Sequence, residues 1–279
     1  MTKYFYANKG KNSFNKVCSF FEPLLEHNTE VNDIEECDYI LYACKRVEHA
    51  SNVVYTGKPY IILMESDEIT PIKYNDPNIE AKIYRTSLKR NKKQSYEKVL
   101  PAHLKYSFMK GDSKSDYETN TLFTDRPSIC FCGNEKAHPT RRHVIENFKT
   151  AKGVDFDCIA RGQFVKHYNN KDGRSEFLNQ MGRNMFSLCP RGAGNWSVRF
   201  YESLMLGRIP VVPDTDIEFP LENYIDWSKI VICENSFDKL YKKVLKWHNY
   251  GKEFIYDRQI MCNKVYEDFL STKTFYKYL

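Results

Sequence analysis

Between residues 186 and 213 the chain sets its local signals in a fixed order: a β-rich run, a loop with two glycines, a helical stretch, a stopping glycine and a second β-rich run. A strand that reaches the next strand through a helix has to lie parallel to it, because only a crossover of that length returns the chain in the same direction. The same alternation recurs along the sequence. Residues 3–7, 38–43, 59–64, 81–85, 128–132, 154–160, 185–189, 209–212 and 229–233 read as strands. Residues 15–26, 140–150, 176–182, 197–206, 237–248 and 254–270 read as helices. Alternation of this kind predicts βαβ units, and ligands of such sheets bind at the carboxyl ends of the strands.

The polar stretch 110–120 (KGDSKSDYETN) is the best linker in the sequence. It divides the chain into an N-terminal lobe, residues 1–122, and a C-terminal lobe, residues 123–250, with a terminal helix at 251–279 that packs back on the N-terminal lobe. The expectation is an α/β protein of two Rossmann-like lobes with parallel sheets and an interdomain cleft.

Composition removes several classes. With 42% hydrophobic and 15% aromatic residues, the chain has material for a sizeable core. The net charge of +6 is spread along the sequence rather than gathered into a stripe, which argues against nucleic acid as a partner. Its densest basic run, Lys89 to Lys93, reads as a solvated face. Nine cysteines at irregular spacing read as free thiols of a reducing compartment. Cys130 and Cys132 lie two apart in a strand and therefore under one covering layer. Residues 1–20 are broken by Lys3, Lys9, Lys11 and Lys16, unlike a signal peptide, and no apolar run approaches a membrane span of about 20 residues. The expected location is cytoplasmic, with no membrane span.

Chemistry concentrates in the run from residue 186 to 213. Gly192 and Gly194 let backbone N–H groups approach a ligand closely. Ser197 stands where an N-cap belongs, and the first-turn N–H groups behind it form an anion site. Arg191 and Arg199 add planar donors suited to a diphosphate. Glu202, three residues after Arg199 and on the same helix face, can accept both hydroxyls of a ribose. The plain structural alternative is that Glu202 pairs with Arg199 or Arg191 and the glycines serve a turn. A dinucleotide fingerprint is imitated by Gly192-x-Gly194-x-x-Ser197 with Asp214 and Asp216 beyond it, but the third glycine is missing and the loop lies late in the chain.

Taken in order, Leu188-Cys189-Pro190-Arg191-Gly192, Ser197, Arg199-Phe200, Glu202, Gly207 and Ile209-Pro210-Val211-Val212 resemble the signature of the exostosin-type glycosyltransferases. Phe219-Pro220 and Ile225-Asp226-Trp227 extend the likeness. Upstream, Phe131-Cys132-Gly133 followed by Arg141 or Arg142 is similar to that family's strand end and trailing arginine. The resemblance covers roughly residues 129–232; the first 120 residues carry no motif of the family.

The resemblance implies a GT-B fold and inverting transfer from a UDP-sugar to an oligosaccharide or glycoprotein glycan, without cofactor or essential metal. Carried onto this sequence, Arg199 and Ser197 would hold the diphosphate, Glu202 the ribose, and Arg141 or Arg142 the leaving phosphate. Asp214-Thr215-Asp216 has the spacing of a metal motif, but its place after a strand near the donor sugar favours a hydroxyl or loop role. The general base should come from the N-terminal lobe, after residues 59–64: Asp67 first, Glu65 second, and His49 after the preceding strand third. Compact size without an anchor is similar to the exostosin-like xylosyltransferases of large algal viruses, which makes UDP-xylose the leading donor. Asn195-Trp196-Ser197 forms a glycosylation sequon inside the donor loop, where modification would block the site. A non-catalytic glycan- or nucleotide-binding protein with a retained donor lobe is the alternative.

Overall fold

The computed structural model describes residues 2–7, 28–66, 69–101, 120–162, 171–271 and 273–278. The chain divides into two units: Met1–Ser107 with Asp216–Leu221 and Ser271–Leu279, and Phe108–Thr215 with Glu222–Leu270. Each is built on a parallel sheet, so both lobes expected of a GT-B type α/β fold are present. The expected helix 15–26, most of the linker 110–120, and Asp67 lie outside the described residues.

The first unit carries β1 (Lys3–Tyr6), β2 (Thr29–Val31), β3 (Tyr39–Cys44), helix α1 (Val47–Ser51), β4 (Tyr60–Met64), β5 (Ala81–Arg85) and β6 (Glu97–Val99). The strand order is β2-β1-β3-β4-β5-β6, with every pairing parallel. Strands β3 and β4 are nearly continuous apolar runs because both faces of a parallel sheet are covered. Within this core Arg85 is wholly buried, and its Nη1 donates to Glu97 Oε1 at 2.7 Å and to the Thr70 carbonyl at 2.8 Å. A buried cation is tolerated there because a carboxylate and a carbonyl meet it. Residues 216–221 belong to this unit through Lys89–Ile217 bridging, the Arg90 bond to the Ile217 carbonyl at 2.6 Å, and the Lys93–Glu218 ion pair.

The second unit carries β7 (Ser128–Asn134), helix α2 (Pro139–Thr150), β8 (Asp155–Arg161), α3 (Lys171–Gly182), β9 (Phe186–Leu188), α4 (Val198–Met205), β10 (Ile209–Pro213), β11 (Ile232–Glu234), α5 (Phe237–Asn249) and α6 (Lys252–Val265). The strand order is β11-β10-β9-β7-β8, again all parallel. Successive strands run outward in one direction from β7 to β8 and in the other from β9 to β11. Strands β7 and β9 are neighbours, so the sheet reverses its winding between them. Open α/β sheets bind ligands in the crevice at the carboxyl ends of such a pair.

The core of this unit is dense. Strand β10 is buried over its whole length. Cys130 and Cys132 lie together under α3, packed with Phe177, Leu178, Met181 and Leu206. Both are free thiols, and burial pushes the Cys130 thiol up to about 12, so it stays protonated. Helix α6, expected to pack on the N-terminal lobe, belongs to the second unit and touches α4, α5 and β10; residues 271–279 join the first. No helix among the described residues is long and apolar enough to cross a membrane.

Helix α4 stops at Gly207, whose φ is +62°. A Cβ there would stand 3.1 Å from the Gln259 carbonyl oxygen of α6. Gly207→Ala therefore meets both left-handed strain and a backbone neighbour, and should destabilise the protein by about 1–2 kcal/mol. Urea unfolding monitored by circular dichroism reads that loss; an unchanged midpoint would mean that α4 and α6 pack less closely than described.

Candidate functional site

The crevice between the carboxyl ends of β7 and β9 is formed by Gly133 and Asn134 on one side and by the loop from Cys189 to Ser197 on the other. The loop is tied to itself and to α2. Gly192 donates its N–H to the Trp196 carbonyl at 2.9 Å. Arg141, in the first turn of α2, donates from Nε to the Arg191 carbonyl at 2.9 Å, from Nη1 to Asn134 at 3.0 Å and from Nη2 to Pro190 at 2.8 Å. One guanidinium thus joins both walls of the crevice. Burial, with the neighbouring Arg199 adding to it, lowers Arg141 to about 10, so the group stays charged at neutral pH.

The two arginines offered by the sequence separate cleanly. Arg142, one residue on and about 100° round the helix, is exposed. With Lys136, His138, Pro139, His143 and Glu146 it lines an open surface cavity of about 580 Å³ away from the loop. Arg191 folds onto its own loop, donating from Nε to the Gly192 carbonyl at 3.3 Å and from Nη2 to Ala193 at 2.6 Å. Gly194 and Asn195 are buried, and Asn195 Oδ1 accepts from the Thr215 hydroxyl at 2.5 Å. A buried Asn195 is no glycosylation acceptor in the folded chain.

Helix α4 begins at this crevice. Ser197 occupies its N-cap in extended conformation, but its hydroxyl makes no capping bond to the first turn. The electropositive end of the helix is thereby turned to the loop.

Arg199, on the first turn, is 7% exposed. Its guanidinium carbon lies 5.0 Å from the centroid of the Phe131 ring and 4.5 Å from that of Phe177. Its Nη1 is buried without any hydrogen-bond partner among the described residues. Gly133, with φ +150°, keeps the approach narrow: a Cβ there would stand 3.6 Å from Arg199 Nη2. Aromatic faces compensate part of a buried cation's lost hydration, but they do not satisfy its N–H groups.

Glu202, one turn further along α4, is 4% exposed and pairs with neither Arg199 nor Arg191. Its Oε1 accepts from Nη1 of Arg174 on α3 at 2.7 Å. Sequence reasoning missed Arg174 because nothing before the fold marks residue 174 as facing residue 202. Its spacing of three from Phe177, on one helix face, is the only trace.

The remaining sequence candidates fall elsewhere. Asp214 directly follows β10 in the second unit, where its N–H donates to the Glu234 carbonyl at 2.8 Å. Asp216 belongs to the first unit at φ +65°; its carboxylate accepts from the Asn91 N–H at 3.2 Å and stands 3.7 Å from Arg90 Nε. The two residues thus belong to different units, and each is tied to neighbours of its own. Among the described residues no group of three His, Cys, Asp or Glu is placed to hold a metal ion. Glu65 stands half-buried at the carboxyl end of β4, and His49 is exposed on α1 with Glu48 3.6 Å away.

A family model described as the Exostosin GT47 domain matches residues 95–244, just over half of the 279. The chain belongs to the exostosin GT47 family. A probable glucuronosyltransferase of Oryza sativa subsp. japonica is 32% identical over 101 residues, covering 36% of this chain and 23% of its own. From Arabidopsis thaliana, a probable glucuronoxylan glucuronosyltransferase is 34% identical over 99 residues, or 34% of this chain and 21% of its own. A probable beta-1,4-xylosyltransferase of the same plant is 32% identical over 98 residues, 35% and 21%. The matched segments thus take in less than a quarter of each of these relatives. The crystal structure of TarM aligns with 86% of this chain and 54% of its own at TM-score 0.47 and 11% identity, a likeness too slight to carry weight.

The two neighbouring arginines of α2 give a direct check on this geometry. Arg141→Ala removes three charge-assisted bonds and should cost about 2–3 kcal/mol, whereas Arg142→Ala should stay within about 0.5 kcal/mol of the parent. Equal losses in urea unfolding would contradict the inward placement of Arg141.

Proposed function

We propose that this exostosin GT47 chain transfers a sugar from a UDP-sugar to a hydroxyl of an oligosaccharide or glycoprotein glycan, with inversion and without an essential metal, xylose being the leading donor sugar. The observation that carries this reading is Arg199: a buried guanidinium, backed by two rings, at the winding reversal of a parallel sheet, with an N–H group that no atom of the described residues accepts. A diphosphate is the ligand class that matches it. The uncapped start of α4 supplies backbone N–H groups beside it, and Arg141 adds a second positive charge while fixing the loop.

In the proposed reaction the acceptor oxygen attacks the anomeric carbon as the bond to the UDP oxygen breaks, and the configuration inverts. Charge that gathers on the leaving diphosphate is met by Arg199 and the α4 N-terminus, with the Arg141 cation behind them. Glu202 takes the ribose hydroxyls. The acceptor's proton goes to a carboxylate of the N-terminal lobe, Asp67 or Glu65. Both glucuronosyl and xylosyl transfer stand in the names of the similar plant proteins, so the sugar pocket is the finer question.

A thermal-shift and hydrolysis screen over UDP- and GDP-sugars, with and without EDTA, tests the reading. UDP and UDP-xylose should raise the melting temperature, EDTA should change nothing, and Arg199→Ala should abolish the shift. Indifference to every nucleotide sugar would sink the proposal. Tight NADH binding would redirect it to redox chemistry.

A further inference from the structure

Arg199 and Glu202 stand three apart on α4, a spacing at which opposite charges ordinarily pair. In this protein they do not. The Glu202 carboxylate is taken by Arg174 at 2.7 Å, and the Arg199 guanidinium lies over Phe131 and Phe177 instead. Arg174 and Phe177 are themselves three apart on α3, so one face of that helix reaches both members of the α4 pair. Arg174 also lies over the Phe177 ring, 5.4 Å from its centroid.

We infer that Arg174 is a positioning residue whose task is to hold Glu202 away from Arg199 and so keep the anion pocket unquenched. The inference rests on the reading of Arg199 as the diphosphate group. Without Arg174, the buried Glu202 carboxylate has the Arg199 cation three residues back on the same helix, at a spacing from which the two can pair. That internal ion pair would neutralise the cation meant for the ligand, and an incoming diphosphate would have to displace a carboxylate before it could bind. Phe177 gives Arg199 an alternative to pairing, since a ring face attracts a cation without consuming its N–H donors.

Calorimetric titration of inorganic pyrophosphate into the full chain separates the possibilities, because pyrophosphate has no ribose and reads the anion pocket alone. Arg174→Met should weaken pyrophosphate binding about tenfold, equivalent to about 1.4 kcal/mol. Adding Glu202→Gln to that variant should restore it to within about twofold of the parent, since the neutral amide cannot quench Arg199. A merely structural Arg174 would not be rescued by a second substitution in its partner. Arg174→Gln takes the place of Arg174→Met should the latter not fold. Full pyrophosphate affinity in the single variant, or no recovery in the double, overturns the inference. Arg199→Met, measured alongside, tests the donor reading itself. If it binds pyrophosphate as the parent does, that reading falls and this one with it; if it loses binding while Arg174→Met keeps it, only the role of Arg174 falls.

Discussion

Everything distinctive in the second unit depends on placing one positive charge, Arg199, in the protein interior without a counter-ion among the described residues. A buried unpaired cation is among the costlier things a fold can contain. The first unit shows the ordinary solution, where buried Arg85 meets Glu97 directly. At Arg199 that solution is withheld, although a carboxylate is available one turn away. Two aromatic faces give partial compensation, and Arg174 occupies the carboxylate. Under the proposed function, the donor diphosphate supplies the opposite charge.

The topology explains how the parts converge. Reversal of the winding between β7 and β9 puts Gly133 and Asn134 beside the loop that follows Leu188. Helix α2 then delivers Arg141 across both, and α4 starts at the same point with its first turn facing the loop. Residues far apart in sequence (131, 141, 177 and 199) meet because two parallel strands end side by side. The chain does not rely on the loop alone for rigidity, since Arg141 stitches its carbonyls and Thr215 holds Asn195.

Much of this unit was legible before the fold. The alternation of apolar runs with helical stretches located β7 to β10 and α4 to within about two residues, because periodicity is a local property. Strand 229–233 was less well read: its first part is a 3-10 turn at Trp227–Lys229, and only Ile232–Glu234 pairs. Short β2 and β6 escaped notice because three residues carry no usable period. The candidate site residues divide in the same way. Gly192, Arg199 and Glu202 could be singled out because they share one strand-loop-helix run. The partners of Arg199 and Glu202 could not, because Phe131, Arg174 and Phe177 come from other elements and only tertiary packing brings them there. The same limit applied to Arg141 and Arg142, equivalent in sequence but placed on different faces of α2, and to Asp214 and Asp216, whose shared spacing conceals membership of different units.

A crystal structure of the chain with UDP tests the central claim most directly. The account predicts pyrophosphate oxygens within hydrogen-bond distance of the Arg199 guanidinium and the first turn of α4, with the ribose at Glu202 and the Arg174–Glu202 pair intact. UDP bound elsewhere, with Arg199 still lying only against Phe131 and Phe177, would contradict it.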